Sequence, residues 1–159
     1  MRIIGIDPGP ATSGWVEINT AGQVVAATEY ANDDVCRKLF EYNPGDLIAI
    51  EDFTPYGKSL GQESMATIKW VGEFRQFCKH DGLHYIEIPR PEVKLHHCDC
   101  RTAKDSDVRD AMIHRYGPGK DCAIGLKKSP GPLYGIKTHL WPALAVALVA
   151  LDRYHKETH

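Results

Sequence analysis

The chain has 159 residues, 43% of them hydrophobic and 25% charged, with 21 acidic and 19 basic side chains and a net charge of −2. That length buries a core without staples and sets the expectation of a single domain over residues 1–159. The charge balance excludes an all-over basic surface of the kind most nucleic-acid binders carry, although acids gathered at one site would mask a local basic groove in the total.

Residues 2–6 form an apolar, largely β-branched run that ends in Asp7 and is followed at once by Pro8-Gly9-Pro10. This predicts a buried strand that delivers a carboxylate to its end and then turns. Asp7 then either caps the turn or is a buried acid needing a cation or hydrogen bonds. Further strands are expected at 16–18 and, beyond the Ala21-Gly22 turn, at 24–30. A short helix follows over 33–42, capped by Asp33 or Asp34 and stopped by Pro44-Gly45. Residues 46–52 read as a second buried strand ending in acid, at Glu51-Asp52. A loop at 54–61 leads to a long helix over 62–80 with Trp70, Phe74 and Phe77 on its apolar side. A strand at 85–88 precedes Pro89 and Pro91, and a helix is expected over 106–116. Residues 117–135, rich in Gly, Pro and Lys, read as a long loop. The last helix, 139–154, is apolar nearly all round and hence buried. Its apolar run is too short to span a bilayer and contains Pro142. The order is mixed α/β, three strands in succession before helices alternate.

Asp7 and Glu51 each close an apolar strand. If those strands are parallel neighbours, both carboxylates emerge at one sheet edge, where they repel unless a cation lies between them. Such hard oxygen ligands suit Mg²⁺ or Mn²⁺. Two such ions about 3.5–4 Å apart are the standard arrangement for phosphodiester hydrolysis. The plainer reading of Glu51 and Asp52 is a solubilised strand end.

Gly5-Ile6-Asp7-Pro8-Gly9 with Gly14 resembles the opening of the RuvC-type Holliday junction resolvases, in the ribonuclease H-like superfamily. Ile48-Ala49-Ile50-Glu51 resembles that family's central strand with its catalytic glutamate, and residues 65–77 resemble the helix after it. Residues 89–94 resemble a strand exit whose lysine, here Lys94, faces DNA. Residues 102–109 resemble the start of a helix with a second DNA-contacting lysine, here Lys104, and 143–147 resemble the last helix. The resemblance implies a mixed five-stranded ribonuclease H-like sheet flanked by helices. It also implies a Mg²⁺-dependent endonuclease, with Mn²⁺ an alternative ion, that cuts branched DNA as a homodimer in the cytoplasm of a bacterium or a phage-infected cell. Asp7, Glu51 and His139 would be its metal ligands and catalytic residues. The chain departs from the family in two ways. The second ligand position of the last helix falls on Pro142, which coordinates nothing; Asp105, Asp107, Asp110 and Asp121 are candidates to compensate. The second lysine falls, ungapped, on Asp105, with Lys104 beside it.

Further DNA contacts would come from Phe53 and Tyr56, placed to stack on an unpaired base or else to plug the core. Lys127 and Lys128 would clamp a strand or simply be solvated. Leu95-His96-His97-Cys98-Asp99-Cys100 has the wrong spacing for a zinc site and reads as strand end and loop, with His97 and Asp99 on one face. The five cysteines are odd in number and irregularly spaced, as reduced thiols would be. No charged-then-apolar leader precedes the first strand, consistent with the cytoplasmic expectation. Two other readings compete. One is a weakened or inactive branched-DNA-binding protein on the same fold, motivated by Pro142. The other is an actin-like ATPase or sugar kinase, for which the chain lacks a second lobe.

Overall fold

The computed structural model describes residues 1–55, 57 and 59–158; Tyr56 lies outside the described residues. Strand β1 (Arg2–Asp7) runs up the centre of a five-stranded sheet. On one side it pairs antiparallel with β2 (Thr12–Asn19), which pairs antiparallel with β3 (Val24–Ala31). On the other it pairs parallel with β4 (Leu47–Asp52), which pairs parallel with β5 (His84–Pro89). The spatial order is β3-β2-β1-β4-β5, the mixed five-stranded architecture expected. Short hairpin turns suffice for the antiparallel half, whereas each parallel pair needs a crossover, supplied by α1 (Asn32–Leu39) and α2 (Gln62–His80).

Alternation along the strands divides the core in two. Ile4, Ile6, Trp15, Ile48 and Ile50 pack with Val35, Leu39, Val71 and Phe74 of α1 and α2. Ile3, Val16, Ile18, Leu47 and Ala49 face the other way, toward the last helix, α6 (Leu140–Thr158). Between Leu140 and Leu151 every α6 residue except Pro142 is buried. Its apolar character on all sides is explained by the sheet on one flank and three elements on the other. These are α3 (Arg90–Cys98), α4 (Asp105–Tyr116) and the chain that follows α4. Two glycines permit the close approach. A Cβ at Gly5 would stand 1.9 Å from the Ala143 carbonyl oxygen, and one at Gly14 would stand 2.2 Å from that of His139. Pro142 falls in the first turn of α6, where its missing N–H has no intrahelical partner to lose.

Two expectations are corrected. Residues 90–98 are helix α3, not a strand exit and loop: Pro89 caps it in extended conformation, Pro91 sits in its first turn, and Asp99 ends it at φ 53. Proline there starts a helix instead of breaking one. The helix replaces the expected alternation: His97 Nε2 meets the Ala145 carbonyl at 3.0 Å, and His96 Nε2 meets Asp152 at 2.8 Å. Residues 117–135 are also not featureless. They hold a one-turn helix α5 (Lys120–Ala123) and a two-residue hairpin, β6 (Gly125–Leu126) with β7 (Ser129–Pro130), anchored to the core by Ala123 and Leu133. All five cysteines are free thiols. No helix among the described residues is long and apolar enough to cross a membrane.

Candidate functional site

The register of β1 on β4 matches Ile3 with Leu47, Ile4 with Ile48, Gly5 with Ala49 and Ile6 with Ile50. Asp7 and Glu51 are each the next residue in line. Both strands run the same way, so the two carboxylates leave the sheet together on the α6 face. They are only 8% and 7% exposed. Gly14, by admitting the His139 carbonyl against β2, seats the residue before α6 beside Asp7: His139 Nδ1 lies 3.3 Å from Asp7 Oδ2. A carboxylate only accepts hydrogen bonds, so in this pair His139 Nδ1 is the donor. The ring itself is largely exposed.

All three side chains line one open groove of about 950 Å³, together with Phe53, Arg90, Asp105, Arg109 and Pro142. Burial pushes the Asp7 carboxyl up to about 6, against the opposing pull of His139 and Arg90. Burial, then the charge of Asp7, pushes Glu51 up to about 7, with Arg90 again opposing. Each acid keeps one oxygen without a hydrogen bond among the described residues: His139 engages Asp7 Oδ2, and Arg90 Nη1 engages Glu51 Oε1, at 3.0 Å. Among the described residues no fully buried side-chain nitrogen or oxygen lacks a partner, so Asp7 Oδ1 and Glu51 Oε2 are open to the groove. Two buried, mutually repelling acids with free oxygens facing solvent fit a hard divalent cation that keeps most of its water. Among the described residues no group of three or more His, Cys, Asp or Glu side chains is placed to hold a metal ion, so the protein's own contribution here is the two carboxylates.

The remaining predicted residues divide. Phe53 is 40% exposed on the groove wall and does not plug the core. Lys94 lines a recess next to the groove that shares Glu51 and Arg90 with it, and its Nζ lies 3.3 Å from Asp105 Oδ1. Lys104 is exposed at the cap position of α4, outside the groove wall. Lys127 and Lys128 form the exposed turn of the β6–β7 hairpin, likewise outside it. Of the four candidate acids, Asp105 and Asp110 line the groove; Asp107 caps α4 through the Lys104 N–H at 2.9 Å, and Asp121 lies on α5.

Sequence reasoning gave no role to Arg90 or Arg109. Arg90 begins α3 just after β5 ends beside β4, so its side chain falls next to Glu51. The register of a third parallel strand was the signal that would have found it. Arg109 follows Asp105 by four residues on α4, the spacing that puts two side chains on one helix face, and its guanidinium lies 4.8 Å from the Trp141 ring centroid.

No protein-family model and no curated protein sequence matches the chain. Solved structures do. The chain is similar to RuvC of Thermus thermophilus at a TM-score of 0.67 and 18% identity, over 98% of this chain and 97% of that one. It is similar to T. thermophilus RuvC in complex with a Holliday junction substrate at a TM-score of 0.67 and 20% identity, over 99% and 97% of the two chains. The fold is therefore that of RuvC, along nearly its whole length.

Proposed function

We propose that this protein is a divalent-cation-dependent endonuclease that cuts branched DNA, a four-way junction above all, by phosphodiester hydrolysis. The observation that carries the reading is the meeting of Asp7, Glu51 and His139, distant in the chain, at one open groove. Asp7 and Glu51 would hold Mg²⁺ or Mn²⁺ through their open oxygens, with His139 beside them. When bound, the ion supplies charge stabilisation at the phosphate and acidifies water. The chain's own residues do the rest. Asp7 would orient the His139 ring through Nδ1, which in the neutral ring would leave Nε2 to take a proton from the attacking water. Arg109, on the groove wall, and Lys94, in the adjoining recess, would offer positive charge to the DNA backbone, and Phe53 would offer a ring to an unstacked base. Lys104, Lys127 and Lys128 would reach phosphates farther along a DNA arm, and Tyr56 is proposed from its position in sequence. The overall acidity is compatible with this, because the site acids offset the local cations in the total. Symmetric incision of two strands needs two sites, which a two-fold homodimer of this one-domain chain supplies.

The test is a synthetic four-way junction incubated with protein and Mg²⁺, beside linear duplex, fork and RNA–DNA hybrid. The expected result is paired nicks in the junction. They are lost in Asp7→Asn, while junction binding persists. Cleavage that survives Asp7→Asn, or none in either Mg²⁺ or Mn²⁺, refutes the reading.

A further inference from the structure

Arg90 stands where two acids meet. It is the first residue of α3, and its planar fork serves a different carboxylate with each terminal nitrogen: Nη1 to Glu51 Oε1 at 3.0 Å and Nη2 to Asp105 Oδ2 at 2.7 Å. Asp105 is held from its other oxygen by Lys94 Nζ at 3.3 Å. The chain therefore contains a fixed cation within hydrogen-bond distance of a buried acid that the proposed function assigns to a metal ion. Guanidinium cannot give up its proton, and it repels any second cation placed at Glu51. Asp105 differs from Glu51 in one respect that matters: its side chain is 67% exposed, against 8% for Glu51. An exposed partner can keep Arg90 in place without a buried charge being left behind when the other bond opens.

We infer that Arg90 is a positioning residue that balances the charge of Glu51 while the groove holds no cation, and gives Glu51 up to an entering divalent ion while Asp105 retains the guanidinium at the groove wall. The inference rests on the proposed function, in that it takes Glu51 to be a cation ligand. It explains why two like charges, Glu51 and Asp105, stand on one guanidinium at the mouth of the site: the first is the exchangeable contact and the second the tether. Released from Glu51, Nη1 faces the groove that the substrate would enter.

The test measures Mn²⁺ binding to the full chain without DNA, from the paramagnetic resonance signal of the free ion. Arg90→Gln removes a like charge beside the ligand and is expected to bind Mn²⁺ about tenfold more tightly than the unsubstituted protein. Arg90→Lys keeps the charge but cannot reach both acids with one planar fork, so its affinity is expected between the two. A scaffold role for Arg90 would loosen the site and weaken binding, the opposite direction. Asp105→Asn removes the tether, leaves Arg90 wholly to Glu51, and is expected to weaken Mn²⁺ binding; that effect should vanish in the Arg90→Gln background. Circular dichroism melts identify any variant that fails to fold, and if Arg90→Gln is one, Arg90→Lys decides. Equal or weaker Mn²⁺ affinity in the folded Arg90 variant overturns the inference. Binding that Glu51→Gln abolishes but Arg90→Gln leaves unchanged sinks the inference and spares the proposed function. Binding absent from every variant sinks both.

Discussion

Replacing Glu51 by Gln should stabilise the fold while removing the proposed nuclease activity, and the size of the stabilisation follows from the burial of the carboxyl. Glu51 is 7% exposed, and burial together with the charge of Asp7 raises it from 4.5 to about 7, a value that already includes the attraction of Arg90. A group whose folded value lies above its unfolded value contributes fully to stability below the unfolded value and loses that contribution as pH rises through the folded one. Below pH 4.5 the side chain is neutral in both states, and glutamine and glutamic acid should be nearly equivalent. Between 4.5 and about 7 the unfolded chain ionises first. Above pH 8 the folded state carries the whole penalty, about 3 kcal/mol at 1.36 kcal/mol for each tenfold change in proton affinity. Glutamine escapes it. For a chain of this size that corresponds to a rise in Tm of roughly 6–12 °C. Urea unfolding in EDTA from pH 4 to 9 reads this directly: the variant's advantage should grow from near zero to a plateau above about pH 8. An advantage independent of pH, or a variant less stable than the parent at pH 8, would show that Glu51 is not a destabilised buried charge.

Other consequences follow from the same geometry. If the proposed function holds, His139→Ala should slow junction cleavage by about 10²–10⁴-fold with little change in junction affinity, because that proposal gives the ring a proton to move and no strand to hold. Gly14→Ala, whose Cβ would stand 2.2 Å from the His139 carbonyl oxygen, should cost about 1–3 kcal/mol by denaturant titration and displace His139 from Asp7. Thr138, a β-branched residue at φ 41 just before His139, sits in the left-handed region, so Thr138→Asn should stabilise by about 1 kcal/mol, seen as a higher Tm. If Lys127 and Lys128 both touch phosphate, replacing both by Ala should flatten the plot of log affinity against log salt by about two; an unchanged slope would leave them as an exposed turn.

Much of the fold was legible from residue pattern, because strand and helix periods are local properties of the chain. Apolar runs ending in Asp7 and Glu51 located β1 and β4, and the all-round apolar segment after His139 announced a buried helix. The same pattern put two acids and an imidazole at element ends, the places where side chains escape a core. Where a proline carried the reading, pattern failed: Pro91 marks a strand exit in one context and a first helical turn in another, and α3 is decided by what lies beneath it. His97 reaching the Ala145 carbonyl of α6 is such a contact, 48 residues away in sequence.

What the sequence by itself determined is that two apolar strands end in the acids Asp7 and Glu51 and that His139 stands at the start of a buried helix. Which of the other charges would join them was settled only by tertiary structure. Arg90 is 39 positions from Glu51, and Asp105 is 15 beyond Arg90. Their meeting depends on the register of β5 against β4 and on where α3 and α4 pack, and no local window of sequence contains either.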